Sequence, residues 1–298
     1  MYNYHAEAHA LGGRLPDPLG AIESQAAISL PISGGLTNAR VGQFNFKNIL
    51  SFDSAETIVE GIYDSKRKAH ITRARSVIHG FKFMDMIEAD RIECGLESIH
   101  PNGSKGEPSI VPKECHFENL VIAGNRGNPT IQYDALKKYQ THKELTAAFN
   151  RQPEKMRKAM LYSQVKPDAP GVFGRIGKGH GRQRKLSEVA VCSIVQDLGF
   201  TQDAQGITVY GPVVLVPGFG IIHVGECTLE QGVRRLHMLR VSLDKSVGAK
   251  LPGASWSQGS KTAKTAMTMA DVYPSDGGDL TVSGATSNGT PVPHPPGG

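Results

Sequence analysis

No run of about 18 consecutive apolar residues occurs anywhere in the chain, so no membrane-spanning helix is expected. The opening residues, Met1 to Gly13, have neither a basic n-region nor an apolar h-region, and a conventional signal peptide is not expected either. The expected compartment is therefore the cytoplasm, or the exterior reached by a route that leaves no cleaved signal. The four cysteines, Cys94, Cys115, Cys192 and Cys227, are far apart and include no CxxC, which excludes metal-knuckle spacing. All four fall in expected strands, where a thiol behaves as a small buried hydrophobe; one or two disulfides are the alternative.

Motifs of nucleotide and hydrolase chemistry are missing as well. Lys178 is followed by Gly179 and not by Ser or Thr, so the glycine-rich run around it is not a Walker loop. A loop precedes that run, whereas a dinucleotide fingerprint would follow a strand. Gly218-Phe219-Gly220 lacks the serine of a nucleophile elbow. Aromatic residues make up only 6% of the chain, with one tryptophan, Trp256.

What is present is turn chemistry and alternation. The chain has 34 glycines and 18 prolines in 298 residues, and they punctuate short apolar, β-branched segments. Gly211 to Leu243 reads as a three-strand meander: Val213 to Val216, Ile221 to Thr228, and Arg235 to Leu243. Strict alternation in the last puts Leu239, Val241 and Leu243 on one face with His237, opposite Leu236, Met238, Arg240 and Ser242. At the other end, Tyr2 to Leu11 alternates between Tyr2, Tyr4, Ala6, Ala8, Ala10 and the polar Asn3, His5, Glu7, His9. Ser24 to Leu30, Val41 to Leu50, Ala55 to Tyr63, Ala69 to His79, Phe81 to Ile87, Asp90 to Ile99, Cys115 to Ala123 and Leu186 to Gln196 are further expected strands. Asp64 to Arg67 is an expected hairpin turn.

Helical periodicity is confined to one region. Asp134 can cap Ala135 to Gln140, Thr141 and Glu144 form a capping box, and Pro153 is placed to start a third helix. The expected fold class is mainly β: an antiparallel β-sandwich or barrel-like fold of ten to twelve strands, with a small helical insertion and a flexible C-terminal tail. The β-sandwich domain is expected to span residues 1–247, with the helical and basic insertion at 134–185. Residues 248–298, rich in Ala, Ser, Thr, Gly and Pro, read as a low-complexity tail. No internal repeat is evident.

The order Ser29 to Gly35 (SLPISGG), Met86 to Asp90 (MIEAD), Phe117 to Gly124 (FENLVIAG), Val216 to Gly220 (VPGFG) and Leu236 to Leu243 (LHMLRVSL) resembles a group of bacterial β-rich proteins that includes the choice-of-anchor P type of surface protein. The resemblance covers about residues 24–243, leaving out the helical and basic segment. It implies the β architecture and supplies no catalytic residues. The expected lack of a signal peptide and sorting anchor departs from the surface members.

Four candidate sites follow. His5, Glu7 and His9 share one strand face, about 7 Å apart at each step, and offer zinc-type ligands; the bland alternative is the wet face of an amphipathic strand. Arg175, Lys178, Arg182, Arg184 and Lys185 form a glycine-rich basic loop suited to an anion or nucleic acid. The charge is local: residues 151–185 hold ten Lys/Arg against two Asp/Glu, a net of +8, so +5 overall leaves −3 elsewhere. Trp256, Leu280, Thr281 and Val282 could add a strand to an open sheet edge. His223 and His237, on adjacent expected strands with Glu226 nearby, could also form an acid/base pair.

The function these readings favour is a non-enzymatic β-sandwich structural or binding protein, self-associating as a homo-oligomer or binding a partner, with no cofactor. The alternatives are a metal-dependent hydrolase using His5, Glu7 and His9 with a divalent metal, and an anion or nucleic-acid binder working through residues 175–185.

Overall fold

Alternation of small or aromatic residues with polar ones governs the first long strand, β1 (Tyr2–Leu15), and every second side chain of its N-terminal half is buried. The computed structural model describes residues 2–152, 190–200, 204–230, 232–244 and 278–291. After β1 come β2 (Gly20–Gln25), β3 (Ile28–Ser29), β4 (Gly35–Val41), β5 (Phe44–Phe46) and β6 (Leu50–Phe52). The long antiparallel strands β7 (Ser54–Asp64), β8 (Ala69–Phe83) and β9 (Ile87–Pro101) follow. Short strands then border β9: β10 (Ser109–Pro112), β11 (His116–Glu118), β12 (Leu120–Ile122) and β13 (Asn125–Gly127). Next come β14 (Thr130–Ile131) and the helices α1 (Asp134–Lys138) and α2 (His142–Arg151). The rest of the described chain is β15 (Ala190–Ser193), β16 (Val195–Asp197), β17 (Thr208–Tyr210), β18 (Val213–Val216), β19 (Gly220–Glu230), β20 (Val233–Leu243) and β21 (Asp279–Pro291).

Two antiparallel sheets form a sandwich-like fold. The first runs β17-β18-β19-β20-β21-β1-β2, with β15 on β19 and β3 on β1. The second is centred on β7-β8-β9, with β4 outside β7, β6 and β5 beyond β8, and β10 to β13 along β9. Phe52, Phe81, Phe83 and Phe219 fill one end of the interior. Elsewhere small residues bring the sheets close: Ser76 Oγ donates to His9 O (3.0 Å), Ser283 Oγ to Ser76 O (3.1 Å) and Cys94 Sγ to Leu236 O (3.5 Å). Side chains one carbon long reach an opposing backbone only where sheets approach more closely than the usual ~10 Å.

The mainly antiparallel β architecture, the closing meander, the Asp64 turn and the Thr141/Glu144 capping box all match the sequence reading. The expected strand Val41 to Leu50 is instead β5 and β6, split where Lys47 and Asn48 adopt left-handed φ of 53° and 57°. The expected strand Cys115 to Ala123 is β11 and β12, split at Asn119 with φ 50°. α1 begins without a side-chain cap from Asp134. The third helix expected at Pro153 lies outside the described residues.

The largest difference concerns the C-terminal segment. Residues 279–291 are β21, an interior strand paired with β1 along one edge and β20 along the other, and not part of a tail. Its polar, glycine-rich composition (DLTVSGATSNGTP) hid this, since only Leu280, Val282 and Ala285 signal burial. Small residues are what that position demands, because β21 packs against β8 and β9 where the sheets are closest.

The first sheet also carries a seam. At one level, two successive residues on each of four neighbouring strands point inward: Ala10-Leu11, Val282-Ser283, Met238-Leu239 and Val224-Gly225. Gly225 and Ser283 adopt left-handed φ of 66° and 51° there. A Cβ on Gly225 would stand 2.8 Å from Val195 Cγ2, so space as well as φ selects glycine. The seam corrects the strict alternation expected for β20: Leu236, Met238, Leu239, Val241 and Leu243 all face inward, while His237, Arg240 and Ser242 face out.

Candidate interaction surface

Strand β1 places His5, Glu7 and His9 on its outer face, as alternation requires. His5 Nε2 lies 3.4 Å from Glu7 Oε1, both side chains about half exposed. His9 turns elsewhere: its Nε2 is 3.1 Å from Thr281 Oγ1 and its ring centroid is 5.7 Å from that of His237. Among the described residues, no group of three or more His, Cys, Asp or Glu is placed to hold a metal ion. Glu7 and His9 instead line a groove of about 620 Å³ with Ser24, Ser29, Asp279 and Thr281. Leu280 and Val282 are fully buried within β21, and Thr281 is half-buried on its outer face. Arg175, Lys178, Arg182, Arg184, Lys185 and Trp256 lie outside the described residues.

Beside the groove, the seam builds a polar network. In a regular strand residues i and i+3 point to opposite faces, yet His223 and Glu226 share the outer face because Val224 and Gly225 both turn inward. His223 Nδ1 is 3.5 Å from Glu226 Oε2, and Arg240 clamps the same carboxylate from the next strand through Nε (2.7 Å) and Nη2 (2.8 Å). Burial pushes the Glu226 pKa up, but the hydrogen bonds and charge of Arg240, then His223 and His237, hold it below the ordinary carboxylate value. Arg240 also donates to Ser242 Oγ, which donates to Asp279.

His9 and His237 flank Gly284, where a Cβ would stand 2.2 Å from His9 Cε1 and 2.9 Å from His237 Cδ2. Burial, then the neighbouring His9, push the His237 pKa down to about 4 against a partial opposing pull from Glu226; Arg240 and Arg235 push it further down. Burial lowers the His9 pKa as well. The unfolded chain, with an imidazole pKa near ~6.5, therefore takes up protons before the native state does. Between pH ~6.5 and ~4, stability falls, and His237 accounts for about 3 kcal/mol of that fall. Urea unfolding across this range should show His237→Gln losing correspondingly less than the wild type; parallel pH dependences would show that His237 is not the proton acceptor.

The outer face of the second sheet contrasts with this. Glu60, Arg73, Glu97 and Lys113 form a cross-strand charge ladder with contacts of 2.7, 2.8 and 3.3 Å. Arg75 and Arg91 both pair with Glu93, and Arg40 with Glu56. These charges satisfy each other in the plane of the face, so it behaves as a solvated surface.

One corner of the second sheet breaks that pattern. The exposed large hydrophobics among the described residues are Ile32 (67%), Leu36 (68%), Ile62 (36%), Tyr63 (47%) and Val209. The first four surround the start of β4: Leu36 and Ile62 share the outer face, while Tyr63, in step with the inward-facing Gly61, lies on the other side of β7 beside His70. Gly35 pairs with Gly61 and Leu36 with Glu60, so Ile62 and Tyr63 extend past the end of β4. Ile32 is held in the preceding turn, where its carbonyl accepts from Tyr4 N (3.0 Å).

Behind this corner lies an aromatic plug. Tyr63, His70 and His100 are cross-strand neighbours on β7, β8 and β9. Tyr2 stacks on the His70 ring at 4.1 Å, and Tyr4 Oη lies 2.8 Å from His70 Nδ1. The Tyr4 ring passes within 3 Å of where Gly34 and Gly61 would carry Cβ atoms, so two glycines admit it. Burial, then Tyr4, raise the Tyr2 pKa to about 12, and burial with His100 beside it lowers that of His70. Both rings therefore stay neutral near neutral pH. Sequence reading missed this corner, because its residues come from three distant segments. The one available signal was the exposed-side pattern of Leu36 and Ile62 on strands whose outer residues, Ile58 apart, are otherwise polar.

The family model that matches is the domain of unknown function DUF8256, over residues 2–230. That is more than three-quarters of the chain, and the chain belongs to this family. No curated protein and no solved structure gives a significant match.

Proposed function

We propose that this member of the DUF8256 family is a non-enzymatic β-sandwich subunit that pairs with a second copy of itself along β4. The observation that carries this reading is that Leu36 and Ile62 are exposed on one outer face, with Ile32 exposed in the turn before them, beside a strand hydrogen-bonded to β7 alone among the described strands. An edge strand presents backbone N–H and C=O groups that a second edge can take up. Natural edges are blunted by Lys, Pro or bulges; β4, GLTNARV, has neither Lys nor Pro, and its register with β7 is unbroken over seven pairs. Antiparallel pairing of β4 with its copy is isologous and closes as a dimer, which would place both apolar corners along one interface.

Light scattering of the full-length chain over a range of concentrations tests this. The expected mass is twice the 32.0 kDa of the chain. Leu36→Lys with Ile62→Lys, both at exposed positions, should give a folded monomer. A wild type that stays monomeric at all concentrations, or a dimer indifferent to the double substitution, would reject the reading.

A further inference from the structure

The four cysteines, scattered in sequence, gather in one part of the interior. Cys94 and Cys227 sit across the sandwich from each other about the Leu236 carbonyl: Cys94 donates to it, and Cys227 is the strand partner of Leu236. Cys115 bonds to the backbone of Gly95 beside Cys94. Two of the four are in direct register: Cys192 on β15 faces Cys227 on β19. The Ile194 N–H to Gly225 O bond two residues further on makes Cys192/Cys227, by parity, a hydrogen-bonded pair. Such pairs have Cα atoms ~5.5 Å apart, inside the 4.4–6.8 Å window of disulfides. Both cysteines are free and buried.

Arg234 completes the cluster. It is on β20, inward-facing and only 2% exposed. Its Nη2 donates to Tyr139 O (2.8 Å), and its Nη1 is buried without a hydrogen-bond partner among the described residues. A buried guanidinium calls for a compensating anion. Arg234 is two residues along β20 from Leu236, the strand partner of Cys227, so the guanidinium and the Cys227 thiol occupy neighbouring positions on the buried face of the sheet.

We propose that Cys192 and Cys227 are a peroxide-sensitive dithiol, in which Arg234 stabilises Cys227 as the thiolate that reacts first. The Cys227 sulfur attacks one oxygen of hydrogen peroxide, the O–O bond breaks, and Cys227 becomes a sulfenic acid as hydroxide leaves. The Cys192 thiol then displaces the hydroxyl, forming the S–S bond and releasing water. Two sulfurs lose two electrons, and one peroxide is reduced to water and hydroxide. The product ties the edge strand β15 covalently to β19.

Full-length protein treated with hydrogen peroxide, alkylated and digested, should yield a peptide pair joined through Cys192 and Cys227, with Cys94 and Cys115 still alkylated. Arg234→Met should slow formation of that pair at least tenfold, and Arg234→Lys should restore most of the rate. A purely structural role for Arg234 would leave the rate unchanged in both variants once folded protein is selected. Linkage through Cys94 or Cys115, or thiols that all remain alkylatable at millimolar peroxide, would overturn the proposal.

Discussion

Stopping the chain before Gly278 is expected to abolish cooperative folding, whereas stopping it after Pro291 is expected to leave the fold intact. β21 supplies twelve register pairs to β1 and eight to β20, so without it the first sheet is cut in two. The loss removes the buried Leu280, Val282 and Ala285 and leaves unpaired the flanks of β1 and β20, which carry Ala6, Ala8, Leu236 and Met238. Burial of apolar surface at roughly 25 cal/mol per Å² is the main favourable term in a fold of marginal net stability, so losing a central strand exceeds the whole margin. The same holds for a fragment cut to the family match at residue 230, which lacks both β20 and β21. Far-UV circular dichroism and urea unfolding of the two truncations provide the measurement. A synthetic peptide spanning residues 278–291 should restore the transition in the shorter chain, because strand addition is the interaction removed. Cooperative unfolding of the shorter chain with unchanged midpoint would show that β21 is dispensable.

Why this strand escaped sequence reading follows from its packing. Strands such as β8 and β19 announce themselves through β-branched and aromatic bulk, and their placement as strands followed directly. β21 lies where the two sheets are joined by hydrogen bonds from Ser76, Ser283 and Cys94, and large side chains have no room there. A residue set of Ser, Gly, Ala and Thr is thus a signature of close approach as much as of a tail, and composition alone does not separate the two. The seam hid itself for a related reason. It shifts four strands by the same step, so each still alternates on either side of it; only Met238-Leu239 and Ala10-Leu11, adjacent apolar pairs in otherwise alternating strands, betray it. The proximity of His223, Glu226 and His237 was legible from strand adjacency. The clamp by Arg240 was not, since it depends on the seam turning His223 and Glu226 to the same side.

Glu226→Ala is expected to cost about 3–5 kcal/mol of folding stability, because it leaves the Arg240 guanidinium without the carboxylate that takes two of its hydrogen bonds. Arg240 and Glu226 are both largely buried, and the pair bridges the seam diagonally: Glu226 stands opposite His237, while Arg240 stands opposite His223. Removing the carboxylate also leaves His223 beside a guanidinium whose remaining carboxylate contact, Asp279 Oδ1, is 3.8 Å away, and strips the outer face of the first sheet of its only buried acid among the described residues. The net cost of the intact pair is small by comparison, since desolvation offsets much of its Coulombic attraction. Replacing both partners, Glu226→Leu with Arg240→Met, should therefore cost less than Glu226→Ala alone, and the coupling from a double-mutant cycle should exceed about 1 kcal/mol. The pH dependence adds a second signature. Glu226 has a native pKa below its unfolded value, so its stabilisation is complete above the unfolded carboxylate pKa of ~4.3 and is lost as pH falls through the native value. That loss comes at lower pH than the one set by His237, so the wild type should show a second decline on acidification that is smaller in Glu226→Ala, where the lowered carboxyls of Glu97 and Asp64 remain. Urea midpoints that add independently for the two substitutions would mean that the clamp is incidental, and that the glycine and serine backbone at the seam holds the kink without it.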